Sequence, residues 1–442
     1  MMAAKRPHSP ELIPNPFIKK RNLEWSIEIT SLARGTAETS DMDAVQDLPS
    51  LSQHDTIYDQ PTASAIEAGR ARVEDHLTYF SALLSKYTLS PVPPATPHVL
   101  VNAYAQLYIS NVGNPSGAHF VIHQHDHPIA GTHYDLRLQI NENSSASWAI
   151  MYGLPGAPNG ERLNRNATET RVHCLWNHLV ETSSHATGSL LIWDTGTYTV
   201  LPVDEPSRLA NSQSSQSEGR DEDEEVTEQE KLRRAFAARK IKLRLHGLKL
   251  PKNYALNLRL TRDEDVAGRA RSTRVPKTRR RRGDRPSISG RKRREAGMGS
   301  DSEREDGQEA VHAPVEADQA GLSATERELR ELDDETVRQT NAYPGAANSI
   351  GSVYQRRWYL SLDRAASGFV RRRKGGRMVW EPGDEGGAVA GDGDHGRLTY
   401  PFYVRGVENE RSIVTGRLGA DVLRDDGVEG YVGRKGWMPV LR

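Results

Sequence analysis

At 442 residues, with 36% hydrophobic and 6% aromatic side chains, the chain has length for two or three average domains but too little apolar content to be packed throughout. Its 59 lysines plus arginines equal its 59 aspartates plus glutamates, so bulk charge points to no partner. The single cysteine, Cys174, excludes an intrachain disulfide framework and a cysteine-based zinc ribbon, and no apolar run reaches the roughly eighteen residues of a membrane span.

Residues 1–62 are rich in Ser, Pro, Asp and Thr without periodicity, the composition of a disordered tail. Lys5-Arg6 and Lys19-Lys20-Arg21 are spaced like a bipartite nuclear import signal or a solvated basic arm, so a nuclear location, with the cytoplasm as a second site, is the expectation. Within the next segment, 63–210, Ile66, Val73, Leu77, Phe80 and Leu84 fall on one helical face and predict a single helix up to Tyr87, ended by Pro91-Val92-Pro93-Pro94. From His119 to Val200 the pattern changes to short strands: Phe120-Val121-Ile122, Tyr134 to Ile140, Ser147 to Met151 and Ser189 to Trp193.

Residues 211–230 read as a disordered insertion. Over 231–261, Ile241, Leu243 and Leu245 alternate with polar residues, and so do Tyr254, Leu256, Leu258 and Leu260, which predicts a hairpin with one buried face. Residues 262–340 carry the basic blocks Arg279 to Arg282 and Arg291 to Arg294 and then an acidic one, a nuclear signal, a nucleic-acid arm or a solvated linker. The last segment, 341–442, holds Arg357 to Leu362 and Tyr400 to Arg442 as further strands and turns, separated by an acidic, glycine-rich loop over 383–396. The fold class expected is mainly β, with a flanking N-terminal helix and long disordered insertions.

Chemistry concentrates between His119 and His133, where five of the chain's 15 histidines lie. Strand side chains alternate, so His133, Asp135 and Arg137 share a face while Tyr134, Leu136 and Leu138 enter the core; His123 and His125 likewise share a face, opposite Ile122 and Gln124. Two neutral imidazoles and a carboxylate suit a first-row divalent metal with open positions, and an adjacent guanidinium suits phosphate oxygens. His173 is a candidate phosphate contact or general acid, with His178 and His185 behind it; His119 and His127 are bystanders, and Trp148 and Trp193 core packing. The bland alternative is scattered surface histidines and an ordinary Asp135–Arg137 ion pair.

Phe120-Val121-Ile122, His125-Asp126, His133-Tyr134-Asp135-Leu136-Arg137-Leu138, Ser147-Trp148-Ala149-Ile150, Thr187-Gly188, Leu191-Ile192-Trp193-Asp194, Leu243 to Leu250 and Trp358-Tyr359-Leu360 together resemble the 3′-phosphoesterase domain of DNA ligase D and its stand-alone archaeal and fungal relatives. The resemblance implies a compact β-barrel with a surface groove and a divalent transition metal, manganese first and cobalt or zinc as substitutes. It implies removal of a 3′-terminal ribonucleoside and then of the 3′-phosphate, leaving a 3′-hydroxyl, in DNA repair. By position, His125, His133 and Asp135 would be the metal ligands, Arg137 and His173 would hold phosphate, and His133, Asp135, Arg137 and His173 would be the catalytic set. The implied partners are DNA or DNA–RNA 3′ ends and separate repair proteins, with no membrane.

Four departures stand out: a loop between His125 and His133 two residues longer than usual, Tyr152 for an expected lysine, Arg171 for an acidic residue and Asn177 for a tyrosine. They bear on turnover more than on metal retention. The alternative reading is therefore a catalytically impaired nucleic-acid-binding or scaffold protein that keeps the barrel.

Overall fold

The structure, a computed structural model, describes residues 61–94, 96–203, 226–272, 335–383 and 396–441. The predicted tail with its import signal, the core of the 211–230 insertion, the basic and acidic blocks up to residue 334 and the loop over 384–395 lie outside the described residues.

Eight antiparallel strands close into a barrel: β1 (His119–His127), β2 (Gly131–Gln139), β3 (Ser144–Met151), β4 (Asn164–Glu169), then β10 (Arg357–Leu362), β9 (Ala255–Arg259), β8 (Lys240–Gly247) and β7 (Gly188–Val200), which pairs back onto β1. The short β5 (His173–Cys174) adds to β3 and β6 (Thr182–Ser184) to β7. A separate ribbon, β11 (Phe369–Lys374) and β12 (Arg377–Pro382), follows β10.

Alternation fills the interior. Phe120, Ile122, Tyr134, Leu136, Leu138, Trp148, Trp193, Leu243, Leu256, Trp358 and Leu360 are buried in one cluster, a barrel core rather than a channel. Two buried polar atoms there find partners: the Tyr134 hydroxyl donates to Gln124 Oε1 at 2.8 Å and the Trp193 indole N–H to Glu410 Oε2 at 2.7 Å, while the Trp148 indole N–H has none. Asp194 on β7 accepts backbone N–H bonds from Leu248, Lys249 and Leu250 at 2.8–3.0 Å, which fixes the turn after β8.

The outer face of β1 and β7 is buried too. Val121, Leu190 and Ile192 pack beneath Phe80 and Leu84 of α2 (His76–Tyr87), Tyr104 and Tyr108 of α3 (Val101–Ile109), and Leu175 and Leu179 of a 3-10 turn, Leu175–Leu179. This second layer encloses the polar residues of the outer face. Trp193 is an extra residue in β7 opposite the Ile122–His123 step, a bulge beside the site.

The single helix expected over 63–87 is two. Thr62 caps α1 (Ala63–Glu67), Gly69 at φ 69° stops it, and Asp75 caps α2 through a 3.0 Å bond from the Thr78 N–H. Helices also occupy both insertion boundaries. Thr227 caps α4 (Glu228–Ala237), which buries Leu232 and Phe236, while α5 (Arg262–Ser272) presents Asp265 to Arg356 at 2.6 Å. A further helix, α6 (Glu335–Thr340), ends the second insertion. Beyond residue 400 no strand forms among the described residues; turns and α7 (Gly419–Asp425) stand where strands were predicted. No helix of the described residues is long and apolar enough to cross a membrane.

Candidate metal centre

Register brings the predicted ligands together. His125 pairs with His133 across β1 and β2, and His123 pairs with Asp135, so all four project from the outer face at the end of the hairpin. His125 Nδ1 lies 3.5 Å from Asp135 Oδ2, and His133 Nε2 lies 3.5 Å from Asp135 Oδ1. One ligand atom from each of His125, His133 and Asp135 falls within 4.8 Å of the others. Ligands about 2.1 Å from one ion sit roughly 3.0–3.5 Å apart, so the cluster has the dimensions of a first-row metal site.

The far nitrogen of each ring is tied down. His125 Nε2 donates to the Thr187 carbonyl at 2.8 Å, and His133 Nδ1 donates to the Gly131 carbonyl at 2.8 Å, so both near nitrogens present lone pairs toward Asp135. Glycine makes one of these carbonyls possible. Gly188 follows Thr187 at φ 72°, and a Cβ there would lie 1.8 Å from the Asp126 carbonyl oxygen, so no other residue fits against β1 at this point. Asp135 Oδ1 is buried without a hydrogen-bond partner, an acceptor that a cation satisfies. The residues present therefore fit a divalent transition metal.

Electrostatics agree with that fit. Burial penalises the Asp135 carboxylate, yet His133, His125 and Arg137 outweigh it and hold its pKa below the usual carboxylate range. Burial lowers the pKa of His133, keeping it in the neutral form that binds metal; at His125 burial is outweighed by Asp135 and the pKa rises.

Arg137 is buried beside the cluster, with Nη2 3.5 Å from Asp135 Oδ2 and Nη1 bonded to Asn177 Oδ1. Its Nε has no partner. His173, on β5, pairs with Ser145 of β3, and its nearby charges are Arg137, Asp135 and His125; burial and Arg137 hold its pKa well below the ordinary value, and its Nδ1 has no partner. All five predicted site residues thus share one region. His123 belongs with them: it is completely buried with neither ring nitrogen partnered, among Arg137, Asp135, His125 and His173.

The remaining candidates divide. His119 and His178 meet through their Nδ1 atoms at 2.6 Å, a buried pair rather than a bystander and a phosphate contact or general acid. His127 Nδ1 accepts from the Ile129 and Ala130 N–H groups at 3.1 Å and so shapes the turn. Tyr152 sits at φ 65°, 43% exposed, after β3. Arg171 stacks on Tyr354 at 4.5 Å and donates to the Val337 carbonyl at 3.3 Å, which pins α6. Of the departures, Asn177 bonds the predicted site residue Arg137 through its side chain, and Arg171 bonds His173 through its backbone.

Sequence reasoning missed Glu67. It lies at the end of α1, and its charged neighbours are His125, Arg137 and Asp135; burial raises its pKa, which those two cations partly offset. Nothing local marks it, because α1 reaches the site through tertiary packing.

Residues 123–258 match the family model described as the DNA Ligase D 3′-phosphoesterase domain. The matched region starts within β1 and ends within β9; β10, which completes the barrel between β4 and β9, lies beyond it. No curated protein matches the chain.

Proposed function

We propose, from the match of residues 123–258 to the DNA ligase D 3′-phosphoesterase domain model, a metal-dependent phosphoesterase that acts on nucleic-acid 3′ ends in DNA repair. It removes a 3′-terminal ribonucleoside and the remaining 3′-phosphate, with manganese as the preferred ion and His125, His133 and Asp135 as its ligands. The observation that carries this reading is the convergence of two oriented imidazoles and a half-unsatisfied carboxylate beside a buried arginine.

A divalent cation bound there supplies positive charge against the phosphoryl oxygens. The chain's own residues do the rest. Asn177 and Asp135 fix the two terminal nitrogens of Arg137, which leaves its Nε–H to donate to a phosphoryl oxygen. His173, neutral in its buried setting, bonds the Arg171 backbone through its other ring nitrogen, so its Nδ1 presents a lone pair that can accept a proton from the water or from a phosphate hydroxyl. In the first hydrolysis the water oxygen bonds to phosphorus and the bond from phosphorus to O5′ of the terminal ribonucleoside breaks, leaving a 3′-phosphate; in the second, water bonds to that phosphorus and the bond to O3′ breaks, and in each the departing oxygen leaves as a hydroxyl after taking a proton. Fixed donors aimed at the charge that develops are the main contribution of such a site.

Purified protein with manganese is expected to convert a 3′-phosphate primer to a 3′-hydroxyl, and His133→Ala to abolish the conversion. Equal activity in the variant would overturn the site assignment. The bond from Arg137 to Asn177, where the family has a tyrosine, favours one second reading, a binding protein that kept the barrel without turnover. Chelator-indifferent binding with no hydrolysis by the wild type would support it. A nuclear location is part of the first reading and is tested by imaging the tagged chain.

A further inference from the structure

The β11–β12 ribbon serves neither the barrel core nor the metal centre. Gly375 and Gly376, at φ 57° and 82°, form its two-residue turn, the conformation that suits a tight hairpin. Arg371, Arg372, Arg373, Lys374 and Arg377 crowd its exposed end, against one acid, Glu381, which pairs with Lys374 at 3.1 Å. Val370 and Met378 lie exposed among them. Register places Arg371 opposite Trp380 and Arg373 opposite Met378 on one face, with Arg372, Lys374 and Arg377 on the other, so both faces are cationic.

An isolated two-stranded hairpin is marginal in water, and this one is anchored at its base. Phe369 is buried in an edge contact with Tyr400 at 4.9 Å, and the Trp380 N–H and carbonyl both bond Asn159 at 2.8 Å. The guanidinium of Arg364 covers the Trp380 ring at 4.6 Å. Base and tip therefore differ: one is packed, the other is projected and charged. Charge on an exposed strand keeps its edge from pairing with another chain, and here five cations are spread over both faces.

Position gives the charge a use. β10 leads into the ribbon from the barrel end at which β3 finishes, and Asn159 lies in the connection that follows β3. Met151 at the end of β3 pairs with His133 at the start of β2, so the ribbon rises from the barrel end that carries the metal ligands. A two-stranded ribbon fits the major groove of a duplex, about 12 Å wide, and exposed arginines suit its phosphates.

We propose that β11–β12 is a contact for double-helical nucleic acid, with Arg371, Arg373 and Arg377 on backbone phosphates, holding the duplex whose 3′ end the metal centre receives. The second clause rests on the phosphoesterase reading; the contact itself does not. The test uses a fluorescent blunt duplex ending in 3′-hydroxyls, in chelator, with anisotropy followed across a potassium chloride series. The variant Arg371→Gln, Arg373→Gln, Arg377→Gln changes exposed side chains only. Its affinity is expected to fall at least tenfold, and its slope of log K against log salt to be shallower by about 2.7, or 0.9 for each phosphate that is no longer neutralised. Hydrolysis of a nucleoside 3′-monophosphate with manganese is expected to be unchanged. Equal affinity and slope in variant and wild type would overturn the proposal, and so would displacement of the duplex by polyglutamate at matched charge. Ribbon-dependent binding by a wild type that hydrolyses nothing would leave the contact standing and sink the catalytic reading alone.

Discussion

The two faces of the β1–β2 hairpin are buried to similar depth and satisfied to different degrees. Inward, Phe120, Ile122, Leu136 and Leu138 are apolar, and the polar pair, Gln124 and Tyr134, bond each other. Outward, His123, Asp135 and Arg137 are equally enclosed, yet each carries a polar atom without a partner. Burial alone does not separate a core from a site. The grouping of unpartnered atoms on neighbouring charged and imidazole side chains does, because each such atom costs about 1–3 kcal/mol and one bound group can complete several together, whereas the unpartnered Trp148 indole N–H sits among apolar core side chains.

The sharpest break in that comparison is to change neighbours on opposite faces. Leu136→Ala is expected to lower the unfolding free energy by about 2–5 kcal/mol while leaving the rise in melting temperature on adding manganese intact. Asp135→Asn is expected to abolish that rise, which for wild type amounts to about 2.7 kcal/mol at a hundredfold excess over Kd. Thermal melts with and without chelator read both. A retained response in Asp135→Asn would place the ion elsewhere.

A smaller effect is expected one step back from the ligands. Gly188→Ala forces the backbone that carries the Thr187 carbonyl away from β1 and so releases the His125 ring. Manganese affinity should fall about 10- to 100-fold, as for the loss of a group that orients a ligand. Calorimetric titration measures it, and an unchanged Kd would show that the carbonyl does not set the ring.

An effect seen only in acid concerns the His119–His178 pair, which lies on the outer side but away from the triad. Burial pushes His119 down to about 3 and His178 well below its ordinary value, so the folded chain holds both neutral. The unfolded chain binds more protons below about pH 6.5, and the stability these groups contribute is complete above that pH and lost as the pH falls toward the folded values. Each contributes up to about 1.4 kcal/mol per pH unit in that window. In chelator, the double variant His119→Leu, His178→Leu should show a shallower fall in melting temperature between pH 6.5 and 4.5; an identical slope would mean the pair does not titrate on unfolding.

Much of the barrel was legible because alternation is strong where one face meets a core. Tyr134 to Leu138, Ile241 to Leu245 and Leu256 to Leu260 carry that signal, and the shared face of His133, Asp135 and Arg137 follows from the opposite parity of β2, as that of His123 and His125 does from β1. β4 was not legible: Asn164 to Glu169 is polar, and it becomes a strand because Arg356 holds Glu169 at 2.9 Å, well apart in sequence. Likewise the spacing of Ile66 and Val73 ran over the stop at Gly69 and the cap at Asp75. Glu67 and the partnering of Asn177 with Arg137 depend on packing between distant segments, which no local pattern encodes.

The strand that completes the barrel is made late. β10 belongs between β4 and β9, yet it follows both in the chain, so a ribosome that has delivered everything through β9 has still released a cylinder with an open seam. Two strand edges stay available to other chains until Leu362 emerges. A product that ended there would hold His125, His133 and Asp135 and still present both open edges for pairing.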